Sequence, residues 1–266
     1  MITISVITPC YNAALFVGDC IDSVQNSFTN QEFQIEHILV DDCSTDETMS
    51  TVQTIQALPA PNHAIQFIHQ ATHRGASAAR NAGVAVAQGK YVFFLDADDV
   101  IFANSLRYLF EIAEKTASRW VYGDFIRGDD QLKYLTGQDY FGWKFESVAE
   151  LLTSMYTGHH FFQQNSFFLK EALSDVQGFT EDLAMAEDFD LATKLLLKDI
   201  LPIYLPGPLY MHRFHAHNAS TIHLTQPDKH RQDIAKLFHQ YQPALKKKVT
   251  TQQFLEIEKY LMDRVV

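Results

Sequence analysis

The chain has 266 residues, 47% of them hydrophobic, enough for one large domain, or one domain with a small appendage, around a sizeable core. Its 21 Lys and Arg against 32 Asp and Glu give a net charge of −11, which argues against a general affinity for nucleic-acid backbones or anionic lipid. Three cysteines, Cys10, Cys20 and Cys43, are odd in number and form no CxxC pair, so neither a disulfide scaffold nor a thiolate zinc site is expected, and a reducing compartment is. There is no leader-like pattern and no run near the 18 apolar residues that span a bilayer, so the expectation is a soluble, cytoplasmic protein.

The first hundred residues alternate short apolar runs with helical patterns, as parallel strands joined by crossover helices do. Strands are predicted at Ile2 to Thr8, Ile35 to Val40, Ala64 to Ile68 and Tyr91 to Leu95, all rich in β-branched and aromatic residues. The intervening helices are Ala14 to Phe28, Asp46 to Leu58, with Ser44 or Thr45 as cap, and Ala76 to Gln88, whose small residues allow close packing and which Gly89 ends. A helix at Ala103 to Ala117 and a strand at Trp120 to Ile126 continue the alternation, and Arg127 to Gly142 reads as a hairpin or loop. Helical spacing returns at Glu146 to Tyr156 and Asp188 to Leu197, and Pro202 to Phe214 reads as extended. Pro227 to Tyr241 and Thr250 to Val265 are predicted as two amphipathic helices flanking Pro243 and Lys246 to Lys248.

In open α/β sheets, ligands collect at the carboxyl ends of the strands. Here the first strand ends in Thr8-Pro9-Cys10-Tyr11-Asn12, the second in Asp41-Asp42-Cys43-Ser44-Thr45-Asp46, and the fourth in Asp96-Ala97-Asp98-Asp99. Six carboxylates crowded after two strands need compensation, and a divalent cation supplies it. Hard oxygen ligands select Mg2+ or Mn2+, and few protein ligands leave room for phosphate oxygens of a nucleotide diphosphate. The alternative for Asp96 to Asp99 is a helix cap and a solvated turn.

ITISVITPCYN, ILVDDCSTDET, HRGASAARNAG, YVFFLDADD and MAEDFDL, in that order, resemble the family-2 glycosyltransferases over roughly residues 2 to 215. The resemblance implies the GT-A fold, a Rossmann-like and mostly parallel central sheet flanked by helices. It divides the chain into a transferase domain at 1–217 and a C-terminal helical appendage at 218–266. Within the domain, 1–100 would form the nucleotide-binding half and 101–217 the acceptor-side half. Pro9, Tyr11, Asn12 and Asp42 fall where such enzymes hold the nucleoside, with Tyr11 either stacking on the base or belonging to the core. Asp42 could accept from uracil N3–H, which favours a UDP-sugar, and Asp41 would shape the turn. His73 stands where Asn is usual. Arg80 would meet the diphosphate or a loop carboxylate. Asp96 would lie near the ribose or sugar, Asp98 on the metal, and Asp99 in support. Asp188 matches the catalytic base. His215 could complete the metal shell or touch phosphate, whereas His159 and His160 make no convincing metal pair. Asp124, Trp143, Phe161, Phe162, Gln163 and Gln164 fall in the acceptor region.

The resulting expectation is an inverting, metal-dependent glycosyltransferase moving a sugar from a nucleotide diphosphate donor to a hydroxyl of a glycan or lipid-linked acceptor, in bacterial surface polysaccharide synthesis. The alternatives are a sugar-nucleotide pyrophosphorylase, which would place a Gly-rich loop after the first strand, and a nucleotide-sugar-binding module without catalysis. Lys246, Lys247 and Lys248 are too few to decide peripheral association with the inner face of a membrane.

Overall fold

Ile4, Val6 and Ile7 on β1 (Ile2–Cys10) are wholly buried, because helices cover both faces of the sheet and a strand in that position must be apolar on both sides. The computed structural model describes residues 2–27, 34–57, 63–137, 139–162, 165–183, 185–216, 218 and 227–265. Chain order gives α1 (Val17–Asn26), β2 (Gln34–Asp41), α2 (Thr48–Gln56), β3 (His63–His69), α3 (Ala76–Val86), β4 (Tyr91–Phe94), β5 (Val100–Ile101), α4 (Ser105–Thr116) and β6 (Trp120–Gly128). There follow α5 (Val148–Tyr156), β7 (Phe167–Leu169), α6 (Lys170–Asp175), α7 (Glu187–Leu197), β8 (Ile203–Arg213), α8 (Pro227–Lys248) and α9 (Thr251–Val265).

The eight strands form one sheet in the order β3-β2-β1-β4-β7-β6-β8-β5. β3, β2, β1 and β4 run parallel, so their carboxyl ends share one edge. β7 lies antiparallel to both β4 and β6, and β8 runs parallel to β6. Two parallel groups therefore meet at β7, a strand of three residues that carries no readable period of its own.

Most predicted elements stand within a few residues of their places. The second helix differs at its start: it begins at Thr48, and the carboxylate that accepts the Thr48 amide, at 3.0 Å, belongs to Asp46. Ser44 and Thr45 are instead spent on Asn12. Gly89 does not end α3, whose last residue is Val86; a Cβ at Gly89 would stand 2.5 Å from the Ser5 amide nitrogen, so the glycine is required by close approach to β1. β5, β7 and α6 were not anticipated. The first of the two C-terminal helices runs through Pro243 to Lys248, since burial of Leu237, Phe238 and Leu245 outweighs the local penalty of a proline. Arg127 to Gly142 is a loop pinned by isolated bridges of Phe125 to Tyr140 and Gly128 to Tyr134. Phe28 and Leu58, the predicted ends of two helices, lie outside the described residues.

Leu237, Phe238, Leu245, Val249, Phe254 and Ile257 of the C-terminal helices and the turn between them join one core cluster with α5 and α7. Among the described residues no helix is long and apolar enough to cross a membrane.

Candidate active site

The loops after β1 and β2 are knitted together by polar side chains. Asn12, in the left-handed region at φ +50°, accepts from the Thr45 amide at 2.8 Å and donates its own amide to Ser44 Oγ at 2.9 Å. The Asn12 side chain thus braces the cleft wall. Pro9 sits on the last turn of the strand ladder, paired in register with Val40. Asp41 is fully buried and accepts from His69 at 2.8 Å and from the Ser44 amide, as expected of a residue that shapes the turn. Asp42 is also buried, and its two oxygens accept the amides of Arg74 and Gly75 at 2.8 and 2.7 Å. Gly75 has no neighbour within 4 Å of a built Cβ but adopts φ +87°, so conformation, not room, is what that glycine supplies. Gly83 is the reverse case: a Cβ there would meet Ile7 Cγ2 at 2.4 Å. His73 reaches Asp42 Oδ2 at 2.9 Å and lays its ring 4.1 Å from the half-exposed Tyr11 ring. The Asn-to-His departure therefore produces a Tyr–His pair at the mouth of the β1 and β2 loops.

Asp96, Asp98 and Asp99 follow β4, and each offers a carboxylate oxygen within 4.8 Å of the others. Their surroundings differ. Asp99 is buried, and its oxygens accept from Asn165 at 3.0 Å, His212 at 3.2 Å and the Arg213 amide at 3.0 Å. Burial, partly offset by His212, pushes the Asp99 carboxyl up to about 6. Burial alone would lower His212, but the Asp99 carboxylate beside it brings a net rise. Asp99 thus anchors the end of β8 beneath the cluster. Asp98 stands nearer the surface, and its Oδ2 lies 3.0 Å from both His215 Nε2 and Asn218 Nδ2. Arg213, buried, donates to the Asp98 carbonyl at 2.8 Å and to Asp19 at 2.7 Å, and lies over the Phe16 ring.

Arg80 is buried on α3 and donates to Asp96 at 2.9 Å and, more weakly, to Glu187 at 3.4 Å. Arg74 instead pairs with Glu181 at 2.6 Å on the outside. Arg80 is the cation in the cleft. Through it the acidic loop after β4 is connected to the first turn of α7, where Glu187 is followed by Asp188. Asp188 lines a small cavity with Trp120, Phe162, Phe168 and Leu191. Desolvation against these apolar walls, with the Glu187 charge adding, pushes its carboxyl up to about 8. A proton acceptor of raised basicity therefore sits one charged link from the Asp96 cluster.

On the expected acceptor side, Asp124 is not a cleft residue. It is buried and accepts from Gly142 N, Tyr204 Oη and Gly207 N at 2.7 to 2.8 Å, holding three segments together. His160 is buried among Trp143, Phe145 and Phe162, and desolvation lowers its ring to about 4. His159 turns instead to Thr157 Oγ1 at 2.8 Å, so the two histidines do not converge. Trp143 and Phe161 are exposed, and Phe162 is core. Gln163 and Gln164 lie outside the described residues, as do Ala219 to Thr221. Asn165 and His212 were missed by sequence reasoning, since nothing local marks a residue that partners an aspartate 66 or 113 positions away.

The sequence profile of glycosyl transferase family 2 matches residues 5–177. The chain belongs to this family. GlyG, a glycosyltransferase of Streptococcus pneumoniae, is 26% identical over 230 residues, covering 79% of this chain and 70% of its own. The chondroitin synthase of Escherichia coli is 29% identical over 193 residues, 72% of this chain but 26% of that much longer one. TuaG of Bacillus subtilis, a putative teichuronic acid biosynthesis glycosyltransferase, is 40% identical over 96 residues, 36% of each chain. In three dimensions, residues 1–349 of S. aureus TarS superpose with a TM-score of 0.71 at 19% identity, covering 99% of this chain and 71% of that one. TarS with UDP-GlcNAc gives 0.70 at 20% identity over 89% of this chain and 66% of that one. A Pyrobaculum calidifontis mannosyltransferase in complex with GDP-Man and Mn2+ gives 0.65 at 19% identity over 97% and 69%. These likenesses establish the GT-A fold. The family match ends before Asp188 and His215.

Proposed function

We propose that this family-2 glycosyltransferase transfers a sugar, with inversion, from a UDP-sugar to a hydroxyl of a glycan or lipid-linked acceptor in the synthesis of a bacterial surface polysaccharide. The observation that carries the reading is the charged chain Asp98, Asp96, Arg80, Glu187, Asp188, which sets a cation-binding carboxylate and a basic carboxylate on one cleft. The teichuronic acid and chondroitin relatives and the UDP-GlcNAc complex of TarS support the donor and product class.

Asp98 and His215 present oxygen and imidazole donors, a set that fits Mn2+ or Mg2+, with Asp99 in support. The bound ion would neutralise negative charge gathering on the departing nucleoside diphosphate. Asp188 takes the proton of the acceptor hydroxyl as its oxygen bonds to the anomeric carbon from the face opposite the leaving group. The bond from that carbon to the diphosphate oxygen breaks, its electron pair leaves with UDP, and the single displacement inverts the centre. Arg80 holds Asp96 toward the donor and keeps Glu187 paired beside the base. Tyr11 and His73 offer a ring surface to the nucleobase, with Pro9, Asn12 and Asp42 fixing the wall behind it. Residues 1–217 would form the transferase domain and 218–266 its helical appendage, with activity in the cytoplasm or at the inner membrane face.

Incubation of the purified protein with Mn2+ and a panel of nucleotide sugars tests the reading. Slow release of nucleoside diphosphate from one donor, without acceptor, is the expected result. Intact donors throughout, together with no Mn2+-dependent binding of UDP, would remove its support.

A further inference from the structure

The base proposed above stands on the first turn of α7, and the contacts that hold this turn come largely from the C-terminal helices, beyond the reach of the family match. On the N-terminal side, the Met185 amide donates to Asp233 Oδ2 of α8 at 2.9 Å. Two residues after the base, Asp190 is fully buried. Its Oδ1 accepts from Tyr241 Oη of α8 at 2.7 Å, while its Oδ2 accepts from Thr180 at 2.6 Å and faces Lys194 Nζ at 2.9 Å. Between these points Phe189 packs edge-on against Tyr156, ring centroids 4.7 Å apart, and Tyr156 in turn meets Phe238 of α8 at 6.1 Å. Hydrogen bonds to carboxylates are the strong kind, and a buried carboxylate with donors on both oxygens has one favourable orientation.

From this we infer that α8 is a clamp for the catalytic turn, with Asp233 and Tyr241 as positioning residues that fix Glu187 and Asp188 from either side without touching substrate. The two grips lie three and two residues from Asp188, so loosening either displaces the base while the Asp96 to Asp99 loop, held by Asn165, His212 and Arg213, stays in place. Small misplacement of a reacting group is costly to rate and leaves donor binding alone. The inference rests on the transferase reading for its catalytic meaning and on geometry alone for the clamp.

The test uses the full chain carrying Tyr241→Phe with Asp233→Ala, and Asp233→Asn, which keeps an accepting oxygen. Hydrogen exchange read by mass spectrometry should be about tenfold faster over residues 185–190 in the double variant and unchanged over 91–99. With UDP-GlcNAc and Mn2+ as probe, kcat for UDP release should fall about 10- to 100-fold with KM for the donor and the affinity for UDP unchanged. Asp233→Asn should restore the wild-type value at that grip. Unchanged exchange over 185–190 would overturn the clamp whatever the protein's activity. Faster exchange with unaltered kcat, or with KM and UDP affinity moving in step, would overturn its positioning role. If the unmutated chain neither binds UDP nor releases it, the transferase reading fails while the exchange measurement still judges the clamp.

Discussion

Asp188→Asn removes one proton site and little else, since Asn matches Asp in size. With its carboxyl pushed up to about 8 by burial, Asp188 is about one-tenth ionised at pH 7 and about nine-tenths at pH 9. The rate of a reaction that needs the ionised form should therefore rise about tenfold across that interval and level off above it, when kcat/KM is followed as UDP release with Mn2+ present. Removing a general base costs about 10²- to 10⁴-fold, and the Asn variant should lose that much along with the pH limb itself. The same shift acts on stability. The folded form of this group binds its proton more tightly than the unfolded form, so stability is full below about pH 4 and declines as pH rises toward 8. Asn cannot ionise, so thermal melts of the variant should lie above wild type at pH 8 and converge with it at pH 5. A variant that transfers sugar normally, or a wild-type rate that is flat from pH 7 to 9, would refute the assignment of the base.

Other residues give separate expectations. Arg80→Leu leaves Asp96 and Glu187 without their buried cation, and breaking such a pair costs about 3–5 kcal/mol, visible as a lower urea midpoint together with loss of activity. Gly89→Ala forces a methyl to 2.5 Å from the Ser5 amide and should cost about 1–3 kcal/mol in thermal melts, with donor KM unaltered in the protein that remains folded. His215→Ala should weaken Mn2+-dependent UDP binding while leaving the melting temperature near wild type, because the ring is held at the cleft and not in the core. A variant that bound UDP and Mn2+ as tightly as wild type would take His215 out of the site.

The nucleotide-binding half was legible because its strands are buried on both faces and its chemistry sits at strand ends, so period and punctuation coincide. Asp98 could be found that way, since it follows YVFFL directly. The division of labour within the DADD run could not. Which aspartate faces the cleft and which is buried depends on Asn165, His212 and Arg213, contributed from up to 114 residues away. Asp124 misled for the same reason: a polar residue in a strand reads as a cleft residue until the three donors that bury it are seen. β7 was invisible because three residues carry no period, yet it joins the two halves of the sheet. The Pro243 helix shows tertiary packing overriding a local stop signal.

The central claim is that Asp98 joins protein to nucleotide through a divalent cation. Titration calorimetry of UDP into wild type and Asp98→Ala, each with Mn2+ and with EDTA, tests it most directly. The account predicts binding to wild type with Mn2+ alone, and none to Asp98→Ala under either condition. UDP bound equally well with EDTA, or by Asp98→Ala, would contradict it.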